Sequence, residues 1–89
     1  MQARRHLWIE GRVQGVGFRA SAAHRMRQSG LAGWARNLAD GRVEIVVEGE
    51  DEALAPFADW CASGPRMAQV TRVTVRDEPV EGLTAVEVW

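Results

Sequence analysis

Residues 11 to 19 read Gly-Arg-Val-Gln-Gly-Val-Gly-Phe-Arg, and this stretch limits what the rest of the chain can become. Before it, Leu7, Ile9, Gly11 and Val13 alternate with Trp8, Glu10 and Arg12, the pattern of a strand with one buried face. After it, Phe18, Ala22, Ala23 and Met26 recur at helical spacing. The stretch is therefore a tight strand-to-helix loop, and its glycines at 11, 15 and 17 open backbone angles closed to residues that carry a Cβ. A loop curled ahead of a helix turns several backbone N–H groups toward one point and adds them to the positive end of the helix dipole. Such a loop is an anion cradle. Arg19, on the first helical turn, offers a planar fork of donors that suits a phosphate better than a lysine point charge would. Taken alone, the glycines serve a plain turn equally well, with Arg19 a solvated charge. The loop is not a nucleotide fingerprint. It lacks GxGxxG, and a Walker loop needs a lysine, whereas all eleven basic residues here are arginine.

A chain of 89 residues with 46% apolar content reads as a single globular domain spanning 1–89. The lone Cys61 has no internal disulfide partner and no metal spacing to His6 or His24, so no metal is expected and a reducing compartment is. Residues 1–20 hold no long apolar stretch, which points away from a secretory signal or a membrane span and toward a cytoplasmic protein. Charge is uneven along the chain. Residues 1–42 carry eight arginines against Glu10 and Asp40, and residues 43–89 carry three arginines against ten acids. That asymmetry fits either a field steering a small anion to the loop or two faces that pair with each other. An isoelectric point near 6.1 argues against a nucleic-acid partner.

The remaining elements follow from periodicity. The first strand runs from about His6 to Val13 and the first helix from about Phe18 to Ser29, stopped by Gly30. Leu31–Leu38 reads as a second strand, Ala39-Asp40-Gly41 as a hairpin turn, and Val43–Gly49 as a third strand in which Val43, Ile45 and Val47 alternate with Glu44, Val46 and Glu48. Leu54, Phe57, Ala58 and Cys61 form the stripe of a second helix ended by Gly64-Pro65. Asp51 is its expected N-cap, and Pro56 argues for a late start or a kink. Gln69–Arg76 and a short Leu83–Trp89 complete the strands. The fold class is α+β: a ferredoxin-like βαββαβ sandwich with an extra C-terminal strand and both helices on one face of the sheet. Right-handed crossovers give the strand order four-one-three-two. That order sets Asn37, at the end of the second strand, beside the anion loop. An asparagine at a hairpin is commonly a turn-former; beside a bound phosphate its carboxamide holds a water.

The segment Gly11–Arg19, together with Gly33-Trp34-Ala35-Arg36-Asn37 and the following Gly41, Val43 and Gly49, closely resembles the two signature segments of the acylphosphatase family. The resemblance implies hydrolysis of acyl phosphates to a carboxylate and inorganic phosphate, without a cofactor. It implies that Arg19 binds the phosphate, that the amides of Gln14, Gly15, Val16, Gly17 and Phe18 cradle its oxygens, and that Asn37 positions water. The expected partners are a small-molecule acyl phosphate and inorganic phosphate as product inhibitor, with no nucleic acid, no membrane and a monomeric chain. A carboxylate leaves readily, its conjugate acid having a pKa of about 4 to 5, so no general acid is required. With no carboxylate or histidine in either signature segment, the proton of the attacking water is expected to pass to a phosphate oxygen.

Other readings are weaker. Cys61-Ala62-Ser63-Gly64-Pro65-Arg66 has four residues between cysteine and arginine where a cysteine phosphatase loop needs five, and Cys61 falls on an apolar stripe. An RNA-recognition domain shares the element order, but its stacking aromatics sit on the third strand, where this chain has Glu44, Val46 and Glu48, a face expected to repel phosphates. A ligand-binding regulatory domain of the same fold would hold anions without turning them over. Trp34 and Trp60 are expected to be partly packed, and Trp8 lies on the side of the first strand away from the core, either half covered or marking a partner surface.

Overall fold

The computed structural model describes residues 1–89. The elements are β1 (Gln2–Arg12), α1 (Phe18–Gln28), β2 (Ala32–Asn37), β3 (Val43–Glu50), α2 (Asp51–Cys61), β4 (Gln69–Glu78) and β5 (Val86–Val88). All five strands join one sheet in the order β4-β1-β3-β2-β5, the expected arrangement with the last strand added beside β2. Strand β3 pairs antiparallel with both β1, where Leu7 faces Ile45, and β2, where Ala35 faces the same Ile45. Strands β1 and β2 therefore run in one direction and end at the same edge of the sheet. β4 lies antiparallel to β1 with an irregularity between Glu10 and Gly11, and β5 runs parallel to β2.

One face of the sheet is closed by the helices. Phe18, Ala22 and Met26 of α1 and Leu54, Phe57 and Cys61 of α2 share a core with Leu7, Ile9, Ala35, Val43, Ile45 and Val47. Burying a side chain of this kind stabilises by roughly 1.5 to 3 kcal/mol, and the apolar stripes read from the sequence supply most of these residues. Helix α1 ends as the sequence indicates. The Leu31 N–H reaches back to the Met26 carbonyl (2.8 Å) and the Gly30 N–H to that of Arg27 (3.4 Å), with Gly30 at φ 70°, while Leu31 and Met26 bury their side chains in the core.

Helix α2 departs from expectation. It begins at Asp51, with Glu50 rather than Asp51 preceding it in extended conformation, and it runs through Pro56 to Cys61. The proline neither delays nor shortens the helix because Glu52, whose carbonyl loses its helical partner, lies on the solvent side with Pro56. Three strand limits also shift. β1 begins four residues earlier, at Gln2, because it pairs with β3 as far as Glu50. β4 extends to Glu78 by pairing with Arg4 and Arg5 of that same extension. β5 is shorter, three residues, since Leu83 turns its N–H toward the Glu48 carboxylate instead of a strand.

The third strand, in which Val43, Ile45 and Val47 alternate with Glu44, Val46 and Glu48, buries both of its faces. Glu44 and Glu48 are 6% and 3% exposed and Val46 is fully buried. Arg4 donates to Glu48 (3.0 Å) and Glu78 (3.0 Å), the His6 ring nitrogens lie 2.8 Å from Glu78 and 2.6 Å from Glu44, and Arg36 donates to Glu44. Backbone N–H groups of Glu81, Gly82 and Leu83 also donate to Glu48, at 2.8 to 3.0 Å. The acids of this face are thus buried and paired rather than solvated. Trp8 is half-buried, stacked on His6 with ring centroids 3.9 Å apart and with Arg76 over its ring, and Trp34 stacks on Trp89 at 4.6 Å. Buried charges are tolerated when each is paired and hydrogen-bonded.

These pairs make stability depend on acid pH. Arg76, then His6 and Arg4, hold the Glu78 carboxyl down to about 2 from an ordinary 4.5. Burial works to raise Glu44 and Glu48, but Arg36 and His6 around Glu44, and the backbone N–H groups and Arg4 around Glu48, outweigh it and lower both. A carboxyl lowered in the folded state contributes stability that is complete above its unfolded pKa and lost as pH falls toward the folded one. Thermal melts should therefore be steady from pH 7 to about 5 and drop steeply between about pH 4.5 and 2, with Glu78→Gln showing a shallower drop. An unchanged melting temperature down to pH 2 would contradict the role given to this network.

Candidate active site

The shared ends of β1 and β2 border a cavity of about 160 Å³. Val13, Gly15, Gly17, Phe18, Arg19 and Ala20 line it from the loop and the first turn of α1, Asn37 from the last residue of β2, and Val88 from β5. The two segments singled out in the sequence thus meet in one space.

Local conformation explains why the loop has donors to offer. Gly15 and Gly17 sit at φ 74° and 79°, left-handed angles that turn the chain out of the β1 ladder and into the helix, and Gly17 itself precedes the first helical residue. The first bond of α1 runs from the Ser21 N–H to the Gly17 carbonyl (3.0 Å). No backbone hydrogen bond uses the N–H of Gln14, Gly15, Val16 or Gly17, and the N–H groups of Phe18, Arg19 and Ala20 are those a helix start leaves without intrahelical partners. A run of unpaired donors at the positive end of a helix favours an anion.

Arg19 is half-buried, and its Nη1 donates to the backbone oxygen of Trp89, which fixes one edge of the guanidinium and leaves the remaining N–H donors for a ligand. Asn37 is exposed at the cavity rim. The side chains of Gln14 and Val16 do not line the cavity. Gln14 Nε2 donates to the carbonyls of Leu38 (2.8 Å) and Arg42 (3.0 Å), and Val16 packs against the core. Two contributors escape sequence reasoning: Val88, and the Trp89 oxygen that grips Arg19. The strand order derived from the crossovers leaves the last strand unplaced, so nothing in the sequence brings residues 88 and 89 to the loop.

A wider depression of about 610 Å³ lies along the helices and is lined by Ser21, His24, Arg25, Gln28, Trp60 and neighbours. Of the unpaired donors it reaches only Ala20 and none from Gln14 to Arg19, and Arg25 is engaged over the Trp60 ring, 4.9 Å from its centroid. The smaller cavity is the candidate. No group of three or more His, Cys, Asp or Glu side chains is placed to hold a metal ion, and no helix is long and apolar enough to cross a membrane.

Comparison with known proteins identifies the family. The profile of the acylphosphatase family matches residues 5–85. The chain belongs to the acylphosphatase family. An acylphosphatase of Roseiflexus sp. (strain RS-1) is 55% identical over 80 residues, 90% of this chain and 86% of that protein. The solved acylphosphatase of Bacillus subtilis is 36% identical and superimposes with a TM-score of 0.94 over 100% of this chain and 99% of that one. That of Coxiella burnetii, 33% identical, gives 0.95 over 99% and 93%. The chain is accordingly a hydrolase of acyl phosphates with the ferredoxin-like fold, and its substrate is a small molecule.

Cys61 stands apart from the candidate cavity. It is fully buried on α2, and burial pushes its thiol up to about 12 although Arg25 pulls the other way. Iodoacetamide at pH 8 should leave both mass and acyl phosphate hydrolysis unchanged in the native enzyme and add one adduct after denaturation. Native labelling accompanied by loss of activity would overturn this assignment.

Proposed function

We propose that the amides of Gln14, Gly15, Val16, Gly17 and Phe18, together with the guanidinium of Arg19, hold the three non-bridging oxygens of the acyl phosphate while Asn37 presents water in line with the leaving carboxylate. The observation that carries this reading is the run of unused N–H groups from Gln14 to Gly17 beside Arg19 and opposite Asn37. Phosphoryl transfer relies on positioning and on stabilising charge more than on covalent chemistry, so such a set of donors is sufficient. Water oxygen bonds to phosphorus, the bond from phosphorus to the carboxylate oxygen breaks, and the water's proton ends on a phosphate oxygen. No carboxylate, imidazole or thiol side chain lines the cavity, which supports proton transfer to the phosphate itself.

The same cradle accepts the product, so inorganic phosphate competes with substrate. The chain works as one domain over residues 1–89 and as a cytoplasmic monomer without nucleic-acid or membrane partners; against a nucleic-acid partner stands the sheet face opposite the helices, where Trp8 is stacked on His6 and Trp34 on Trp89.

Removing one preorganised oxyanion donor typically costs about 3 to 4 kcal/mol in activation energy. Arg19→Gln should lower turnover of a small aromatic acyl phosphate by at least ~10²-fold, and Asn37→Ala should act similarly without unfolding the protein, because its side chain is exposed. Turnover within about twofold of wild type in a folded variant would remove that residue from the mechanism.

A further inference from the structure

Gln14 is the one polar side chain that ties the loop to the hairpin carrying Asn37. Its single Nε2 donates to two carbonyls, those of Leu38 (2.8 Å) and Arg42 (3.0 Å). Both neighbours accept only, so the carboxamide has one orientation that satisfies them, with the NH₂ inward. The same two carbonyls close the turn between β2 and β3. Arg42 oxygen accepts the Leu38 N–H (2.8 Å) and Leu38 oxygen accepts the Gly41 N–H (3.2 Å). Asn37 immediately precedes Leu38 and pairs with Val43, the residue after Arg42. The Gln14 side chain therefore grips the two positions that flank the Asn37 pair, while its own backbone belongs to the loop of unpaired amides.

We infer that Gln14 is a positioning residue: through its two hydrogen bonds to the hairpin it sets the distance and angle between Asn37 and the phosphate cradle, and so the line of attack of the water. The inference rests on the water-positioning role proposed for Asn37 and assigns no contact between the Gln14 side chain and the substrate. In-line attack tolerates little displacement. A shift of about 1 Å in a reacting group costs up to ~10²-fold in rate, and without Gln14 the loop and the hairpin are joined at this point only through the sheet. The phosphate-holding donors themselves remain when the carboxamide is removed.

The test is a double-mutant cycle of Gln14→Met, which keeps length and volume but has no donor, with Asn37→Ala, on a small aromatic acyl phosphate. Gln14→Met should lower kcat by about tenfold in the wild-type background and by less than about twofold once Asn37 is already alanine, because it then has no water-positioning group left to misplace. Its inhibition constant for inorganic phosphate should stay within about threefold of wild type. Gln14→Asn, which keeps the carboxamide but is too short to span both carbonyls, should reproduce the effect and serves as the second variant should Met impair folding. An equal loss of kcat in both backgrounds, a loss confined to phosphate affinity, or no loss at all would overturn the inference. If Asn37→Ala alone is as active as wild type, the role of Asn37 falls first and the staple has nothing to position.

Discussion

Antiparallel pairing of β3 with both of its neighbours is the constraint on which the site depends. Because β1 and β2 each oppose the same strand, Leu7 and Ala35 meet Ile45 from its two sides, and the ends of β1 and β2 emerge together. One end carries a loop whose amides are withheld from the sheet and the other carries a carboxamide. Neither segment forms a site alone. A loop of free donors is an anion trap without chemistry, and an asparagine at a hairpin is an ordinary turn residue. The sheet turns two unremarkable features into one cavity, and β5, laid parallel against β2, closes it with Val88 and holds Arg19 through the backbone oxygen of Trp89.

The distribution of charge places Arg19 at the cavity while most of the sheet's arginines are paired elsewhere. Eight arginines fall in residues 1–42, and three of those on the sheet are answered: Arg4 by Glu48 and Glu78, Arg5 by Asp77 and Arg36 by Glu44. The acid-rich second half therefore pairs with the basic first half across the face opposite the helices. Arg19 is left out of these ion pairs. It pairs with no acidic side chain, and its Nη1 donates to the oxygen of Trp89, which fixes its orientation at the cavity. Of the two readings of the charge asymmetry, the mutually paired surface is the one these ion pairs show.

Much of this was legible in the sequence because the strong signals are local. The Gly-rich loop, the stripes Phe18-Ala22-Met26 and Leu54-Phe57-Cys61, the stop at Gly30 and the Asp40-Gly41 turn each depend on neighbouring residues alone. The strand order followed from handedness, and with it the meeting of Arg19 and Asn37. What was hidden depends on long-range partners. The sequence shows Glu44 and Glu48 as a polar face, and only the register of β1 and β4 reveals that Arg4, His6 and Arg36 bury and neutralise them. Asp51 resembles a cap, but pairing of β3 as far as Glu50 carries the strand directly into α2. Val88, Trp89 and the side-chain role of Gln14 required the three-dimensional neighbours that periodicity cannot supply.

The central claim is that one set of backbone amides receives the phosphate. Titrating the ¹⁵N-labelled protein with inorganic phosphate and following each amide by NMR tests it directly. The account predicts that the largest saturable shifts fall on residues 14–18 and on the Arg19 side-chain N–H groups, with Asn37 responding beside them. Shifts centred instead on Ser21, His24, Arg25 and Gln28, along the helix depression, or spread over the surface without saturation, would contradict it.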